Sequence, residues 1–188
     1  MEDTALTDPL PLSDGTLLEV RRLNRADAAA LQAFNAALTT ETRRLFNPHP
    51  YDEDTLLRLL QRSEDGEDLT LGVFDGEALV GYFFLWYFRR RVPLLGIGLR
   101  DAFQGRGLGG RMIERLISAA AARGCEGVEL TTLPDNQRAF ALYNRCGFKH
   151  YADVPNRSGD GRILTERGMF YAIRPGAAPM TGPHQPPL

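Results

Sequence analysis

Apolar and polar positions along the chain recur with periods near two and near 3.6, and the change from one to the other marks out its elements. Leu17 to Val20, in GTLLEVRRL, reads as a first strand, and Asn24 supplies an N-cap for the helical run RADAAALQAFNAAL. A second helix is expected from Asp52 through Arg62, with Leu56, Leu57, Leu59 and Leu60 on its apolar side. DLTLGVF, then Asp75-Gly76, then EALVGYFFLWYF predicts two antiparallel strands joined by a two-residue turn, because Asp-Gly tolerates the positive φ such turns need. Beyond Arg89-Arg90-Arg91, which reads as a solvated hairpin tip, VPLLGIGLR forms another strand. Met112, Ile113, Leu116, Ile117 and Ala120 mark one face of a helix ending at Gly124, a natural residue just past a helix end. GVELTTL is a further strand, Asp135 through Cys146 a helix closed by Gly147, and FKHYADV and MFYAI are the last two strands.

Composition narrows the class. The 188 residues suit one domain over about 15–174, with a flexible N-terminus (1–14) and a Pro/Gly-rich tail (175–188) expected to be disordered or loosely docked. With 43% hydrophobic and 24% charged residues and a net charge of −2, there is no bulk attraction to nucleic acid or to an anionic membrane. Cys125 and Cys146, with His49, His150 and His184, show neither a disulfide framework nor metal-ligand spacing, so no metal is expected and the reduced cytoplasm is the fitting compartment. The acidic start is no signal peptide, and the apolar run from Leu79 to Phe88 is too short to span a bilayer.

Four glycines in FQGRGLGGR, residues 103–111, stand at a strand-to-helix junction. Such a loop exposes successive N–H groups at the positive end of a helix, which suits a phosphate or diphosphate; a tight turn without a ligand explains an isolated cluster equally well. Gly105, Gly107 and Gly110 also fit G-x-G-x-x-G, with Glu129 placed for a ribose hydroxyl, as in a dinucleotide-binding oxidoreductase. Against that, RDAFQ separates strand from glycine, and too little chain follows for a second nucleotide-binding half. The P-loop pattern fails because no Gly-Lys-Ser or Gly-Lys-Thr is present.

Gln104-x-x-Gly107-x-Gly109 resembles the Q/R-x-x-G-x-G/A signature of the GNAT N-acyltransferase superfamily, and DNQRAFALYNRCGF resembles its N-x-x-A-x-x-L-Y-x-x-x-G-F segment, here Asn136 to Phe148. The likeness extends from about Leu17 to Ile173 and is densest from Ile97 to Phe148. It implies an α/β (α+β) GNAT fold, a mixed, mostly antiparallel sheet of about six to seven strands flanked by helices, with splayed central strands. It also implies an acetyl-coenzyme A-dependent N-acetyltransferase in which an amine of a small molecule or protein attacks directly through a tetrahedral intermediate. By that resemblance, backbone groups of Ile97, Gly98 and Leu99 pair with pantetheine. Gln104, Gly105, Arg106, Gly107, Leu108, Gly109 and Gly110 form the diphosphate loop, and Asn136 contacts the coenzyme. The family leaves room for a homodimer.

Asn136 and Tyr143 lie seven residues apart and project from nearly the same helix face. A phenol with a pKa of about 10 can protonate a leaving thiolate whose conjugate acid lies near about 8.5, which makes Tyr143 the general acid; beside Phe140 and Leu142 it also fits a core position. Gly96 and Gly98 admit a strand bulge that would turn a backbone N–H toward the thioester oxygen. The base stays open. Relatives that acetylate protein N-termini carry glutamate where this chain has Thr131; Glu129, on the same strand face, or water are the candidates, and Glu129 fits a solvated or core-edge carboxylate equally well. That departure keeps a non-catalytic acyl-coenzyme A sensor as the alternative. The acceptor side falls to TTETRRLFNPHPYDE and PNRSGDGRILTERG, both read as polar loops, with the aromatics from Tyr82 to Phe88 packing the sheet or lining the cleft. His49, between two prolines, reads as turn surface or a pocket acid-base group.

Overall fold

In the computed structural model, which describes residues 4–180 and 184–188, the chain runs α1 (Thr4–Thr7), β1 (Leu10–Pro11), β2 (Leu17–Arg22), α2 (Ala28–Ala36), α3 (Thr40–Leu45), α4 (Glu53–Glu64), β3 (Leu69–Asp75), β4 (Ala78–Trp86), β5 (Leu94–Leu99), α5 (Leu108–Arg123), β6 (Gly127–Thr132), α6 (Gln137–Arg145), β7 (Lys149–Arg157) and β8 (Ile163–Ala172). The strands form one sheet in the order β1-β2-β3-β4-β5-β6-β8-β7. It has eight strands rather than six to seven: Leu10 and Pro11 pair with Leu18 and Leu17 at one edge, over too few residues for periodicity to reveal. Only β5 and β6 run parallel.

Local chemistry sets the helix starts where the sequence predicts them. The Asn24 side chain accepts from the Ala26 amide while Asp27 accepts from the Asn24 amide, and Asp52 caps α4 through the Thr55 amide at 2.9 Å. Gly124 at φ +87° ends α5, and Gly147 at φ +93° follows α6. The β3–β4 turn is one residue later than predicted. Asp75 pairs with Ala78, so Gly76 and Glu77 turn the chain, and only Gly76 takes positive φ.

Alternation along β4 divides the core between the two faces of the sheet. Tyr82, Phe84 and Trp86 meet Leu31 and Phe34 of α2 and Leu56, Leu59 and Leu60 of α4. Phe83 and Leu85 pack on the opposite face with Met112, Ile113 and Leu116 of α5 and Tyr143 of α6. Arg89, Arg90 and Arg91 do form a polar hairpin tip, where Arg89 meets Glu67 at 2.6 Å and Arg91 meets Glu126 at 2.8 Å.

Both ends of the described chain are held more firmly than composition suggests. Leu10 and Leu12 are buried, and Arg111 donates to the Pro11 carbonyl at 2.8 Å. In the tail, His184 is buried with Nε2 2.8 Å from the Glu129 carboxylate, which also accepts from the Tyr151 hydroxyl and the Met180 amide. The His184 carbonyl and amide bond to Arg157 and Pro155. A buried carboxylate needs partners, and the tail supplies two of them. PNRSGDGRILTERG is likewise more regular than a loop, since residues 155–157 and 163–168 extend β7 and β8. Polar side chains on both faces disguise that ladder in the sequence.

His184→Ala leaves Glu129 buried with fewer partners. Thermal unfolding should show a loss of about 1–3 kcal/mol; an unchanged midpoint would show that the tail contributes nothing there.

Candidate active site

β5 is hydrogen-bonded to β4 along its whole length, from Leu94 opposite Trp86 to Leu99 opposite Gly81. On its other side it meets β6 at one position, Leu94 beside Glu129, and the two strands then part. The parting opens a cavity of about 680 Å³ lined by β5 from Leu94 to Leu99, the glycine loop, the start of α6 and the Glu41–Pro48 segment. In a strand every second residue turns its N–H and C=O to the same side, so the stretch from Leu95 to Leu99, apart from the Leu99 carbonyl, offers unpaired backbone groups to the gap.

The register from Leu94 to Leu99 is regular and neither Gly96 nor Gly98 has positive φ, so the expected bulge is absent. These glycines serve close packing instead. A Cβ on Gly96 would stand 2.1 Å from the Phe84 ring, and one on Gly98 would stand 2.3 Å from Phe46. Both rings thereby reach the cavity.

After β5 the chain makes a 3₁₀ turn over Asp101–Phe103 and curls through Gly105 (φ +75°) and Gly107 (φ +82°) into α5. Among the described residues the N–H groups of Gly105, Arg106 and Gly107 have no acceptor. With the unpaired amides of the first turn of α5 they form a concave donor surface at the positive helix end, which fits a diphosphate. Gln104 braces this loop, donating to the Leu99 carbonyl at 3.1 Å and accepting from Arg138 at 3.0 Å. Arg106 reaches out to Asp14 at 2.5 Å, and the Leu108 side chain is core, leaving only its amide for a ligand. Arg138 lines the cavity beside Gly105; sequence reasoning passed over it because an exposed helical arginine carries no signal of its own.

Asn136 and Tyr143 both line the cavity. The Asn136 carbonyl oxygen caps α6 through the Ala139 amide at 3.2 Å. Tyr143 is buried with its ring 6.0 Å from Phe148, and its hydroxyl has no hydrogen-bond partner among the described residues. Burial, with the Glu166 charge adding to it, holds the phenol well above its ordinary pKa. It therefore stays a proton donor across the neutral range.

Thr131 faces the cavity, whereas Glu129 is turned into the tail contacts and does not line it. Its candidacy as a base or ribose ligand ends there. The cavity has its own buried carboxylate, Glu166 of β8, which accepts from Asn156 Nδ2 at 2.9 Å. The sequence signal for it is a carboxylate in step with Leu164 and Phe170 on one face of a strand.

Side chains hold the roof in place. Asp101 accepts from the Thr39 amide and hydroxyl and the Thr42 hydroxyl, anchoring α3 to the glycine loop. Arg44 bridges Glu41 at 2.7 Å and Asp135 at 2.8 Å. Asn47 donates to Ser158 at 3.1 Å and accepts from the Gly159 amide, clasping the β7–β8 hairpin. His49 lies in the core and lines no part of this cavity. Its Nδ1 donates to the Pro50 carbonyl at 2.7 Å, which leaves Nε2 to accept from the Tyr82 hydroxyl at 2.9 Å; Tyr82 in turn accepts from Tyr51 at 2.6 Å. This network fixes the aromatic strand behind Phe84 and Trp86.

Among the described residues no helix is long and apolar enough to cross a membrane, and no group of three or more His, Cys, Asp or Glu side chains could hold a metal ion. Residues 31–148 match the family model described as acetyltransferase (GNAT) family. Mycothiol acetyltransferase of Beutenbergia cavernae is 29% identical over 157 residues, covering 78% of this chain and 49% of that protein, so the chain spans about half the length of this relative. The GNAT domain of PAT from S. lividans superimposes with a TM-score of 0.72 at 17% identity, covering 89% of this chain and 97% of that one. The yncA protein of Salmonella typhimurium, solved with its cofactor acetyl-CoA, gives 0.68 at 21% identity over 89% of this chain and all of its own.

Burial pushes the His49 imidazole down to about 4 from an ordinary 6.5. Between those values the unfolded chain binds the proton that the folded ring refuses, so stability is complete above about pH 6.5 and falls as pH drops toward 4, by up to roughly 3 kcal/mol. The thermal midpoint of the wild type should therefore fall more between pH 7 and 4.5 than that of His49→Gln. Equal slopes would refute this origin.

Proposed function

The chain belongs to the acetyltransferase (GNAT) family, and from that premise we propose that it is a cytoplasmic enzyme that moves an acetyl group from acetyl-coenzyme A to a primary amine of a small molecule or protein. The observation that carries this reading is one continuous cavity lined by the glycine loop, the open edge of β5 and Tyr143. When bound, the coenzyme supplies an acetyl group activated as a thioester.

The chain's own residues then have distinct tasks. The amides from Gly105 to Gly110 hold the diphosphate, Arg138 adds positive charge beside them, and the backbone of Ile97, Gly98 and Leu99 pairs with the pantetheine amides. Gln104 acts from behind the loop, by fixing its curl. Asn136 stands at the start of α6, where its side-chain amide nitrogen is free to donate toward the coenzyme arm. Tyr143 donates to the sulfur as the thiolate leaves; its raised pKa keeps the phenol protonated until then.

With Tyr143→Phe, thiol release should fall on the order of 10²-fold in kcat while calorimetry gives an unchanged coenzyme affinity. Coenzyme binding with rates indifferent to the substitution would count against Tyr143, and a wild type that takes up coenzyme yet acetylates no amine would favour a sensor.

A further inference from the structure

The cavity lining includes Phe84, Trp86, Phe46 and Leu164, and with them a carboxylate, Glu166. Phe84 and Trp86 are stacked, with centroids 4.2 Å apart and planes at 23°, and their partners across the ladder are Gly96 and Leu94. They therefore stand by the first half of β5, whereas the glycine loop continues from its end. The absent Cβ atoms at Gly96 and Gly98 let Phe84 and Phe46 sit flush against the strand. These rings give the cavity flat apolar surfaces beside β5.

Glu166 is only 7% exposed. Asn156 is its one hydrogen-bond partner among the described residues, and no cation lies within ion-pair distance of it. The other carboxylate lining the cavity, Glu41, is already neutralised by Arg44. A buried carboxylate with a single neutral donor lacks the compensation that such groups ordinarily have, and the missing partner is positive.

Resting on the acetyltransfer reading, we infer that Glu166 receives the ammonium group of the acceptor and that the acceptor is a compact primary amine carried on a flat apolar body. One charge meets one carboxylate, and the body of the molecule takes the aromatic walls. A polyamine brings further ammonium groups, for which the lining offers no second unpaired carboxylate. A zwitterionic amino acid brings a carboxylate to the same apolar surface. Both are rejected by desolvation without compensation.

The test uses the full chain with phenethylamine, spermidine and alanine as probes, with and without coenzyme A for thermal shifts and with acetyl-coenzyme A for turnover. Phenethylamine should raise the thermal midpoint of the wild type and be acetylated, with spermidine and alanine inert. Glu166→Gln should abolish that thermal shift and raise the KM for phenethylamine at least about tenfold, with calorimetric coenzyme affinity unchanged as the check on folding. Glu166→Asp, which keeps the charge, should retain a shift. Turnover of spermidine or alanine in preference to phenethylamine, or a Glu166→Gln protein with wild-type KM, overturns the inference while leaving acetyltransfer standing. A wild type that binds no coenzyme overturns both.

Discussion

A parallel pair of strands that share one point of contact is the constraint on which the rest of this molecule depends. Had β6 followed β5 beyond Leu94, the ladder would have been completed and the sheet would have no opening. Because it does not, backbone donors and acceptors in the middle of a sheet face a gap, where they need either water or a guest with amide groups of its own. An extended chain bearing amides satisfies them as a strand would. The glycine loop at the far end then meets whatever charge that chain carries, which explains why both features occur together.

Packing on both faces maintains the gap. α5 and α6 are fixed to one side by Met112, Ile113, Leu116, Tyr143 and Phe148, while α2 and α4 bear on Tyr82, Phe84 and Trp86 from the other. The polar ties are placed where packing is thin. Asp101 draws α3 to the loop, Arg44 crosses to Asp135, and Asn47 holds the β7–β8 hairpin. Each tie joins segments distant in sequence, so the roof of the cavity is a product of closure of the whole domain.

Two buried carboxylates on one face of the sheet show how differently the same group can be used. Glu129 is surrounded by the Tyr151 hydroxyl, the Met180 amide and the His184 ring, and it locks the tail down. Glu166 has one neutral donor and open space beside it. Charge satisfaction by the protein itself marks the first as structural, and its absence leaves the second available to a ligand.

Much of this was legible in the chain. Caps at Asn24 and Asp52, closing glycines at 124 and 147, and the alternation in β3 and β4 are local signals, since each depends on residues within a turn or two of itself. The glycine loop and the spacing of Asn136 and Tyr143 are local in the same sense, and they gave the family. Other readings failed because the deciding partners are remote. Gly96 and Gly98 suggested a bulge until Phe84 and Phe46 proved to occupy the space of their Cβ atoms, and Glu129 stood as one candidate base until Tyr151, Met180 and His184 closed around it. The sequence by itself determined most of the elements, their order and the glycine loop, because backbone preference and amphipathic period act over a few residues. Only the tertiary structure decided which carboxylate is left without a partner, because burial and charge compensation depend on residues brought together from every part of the chain.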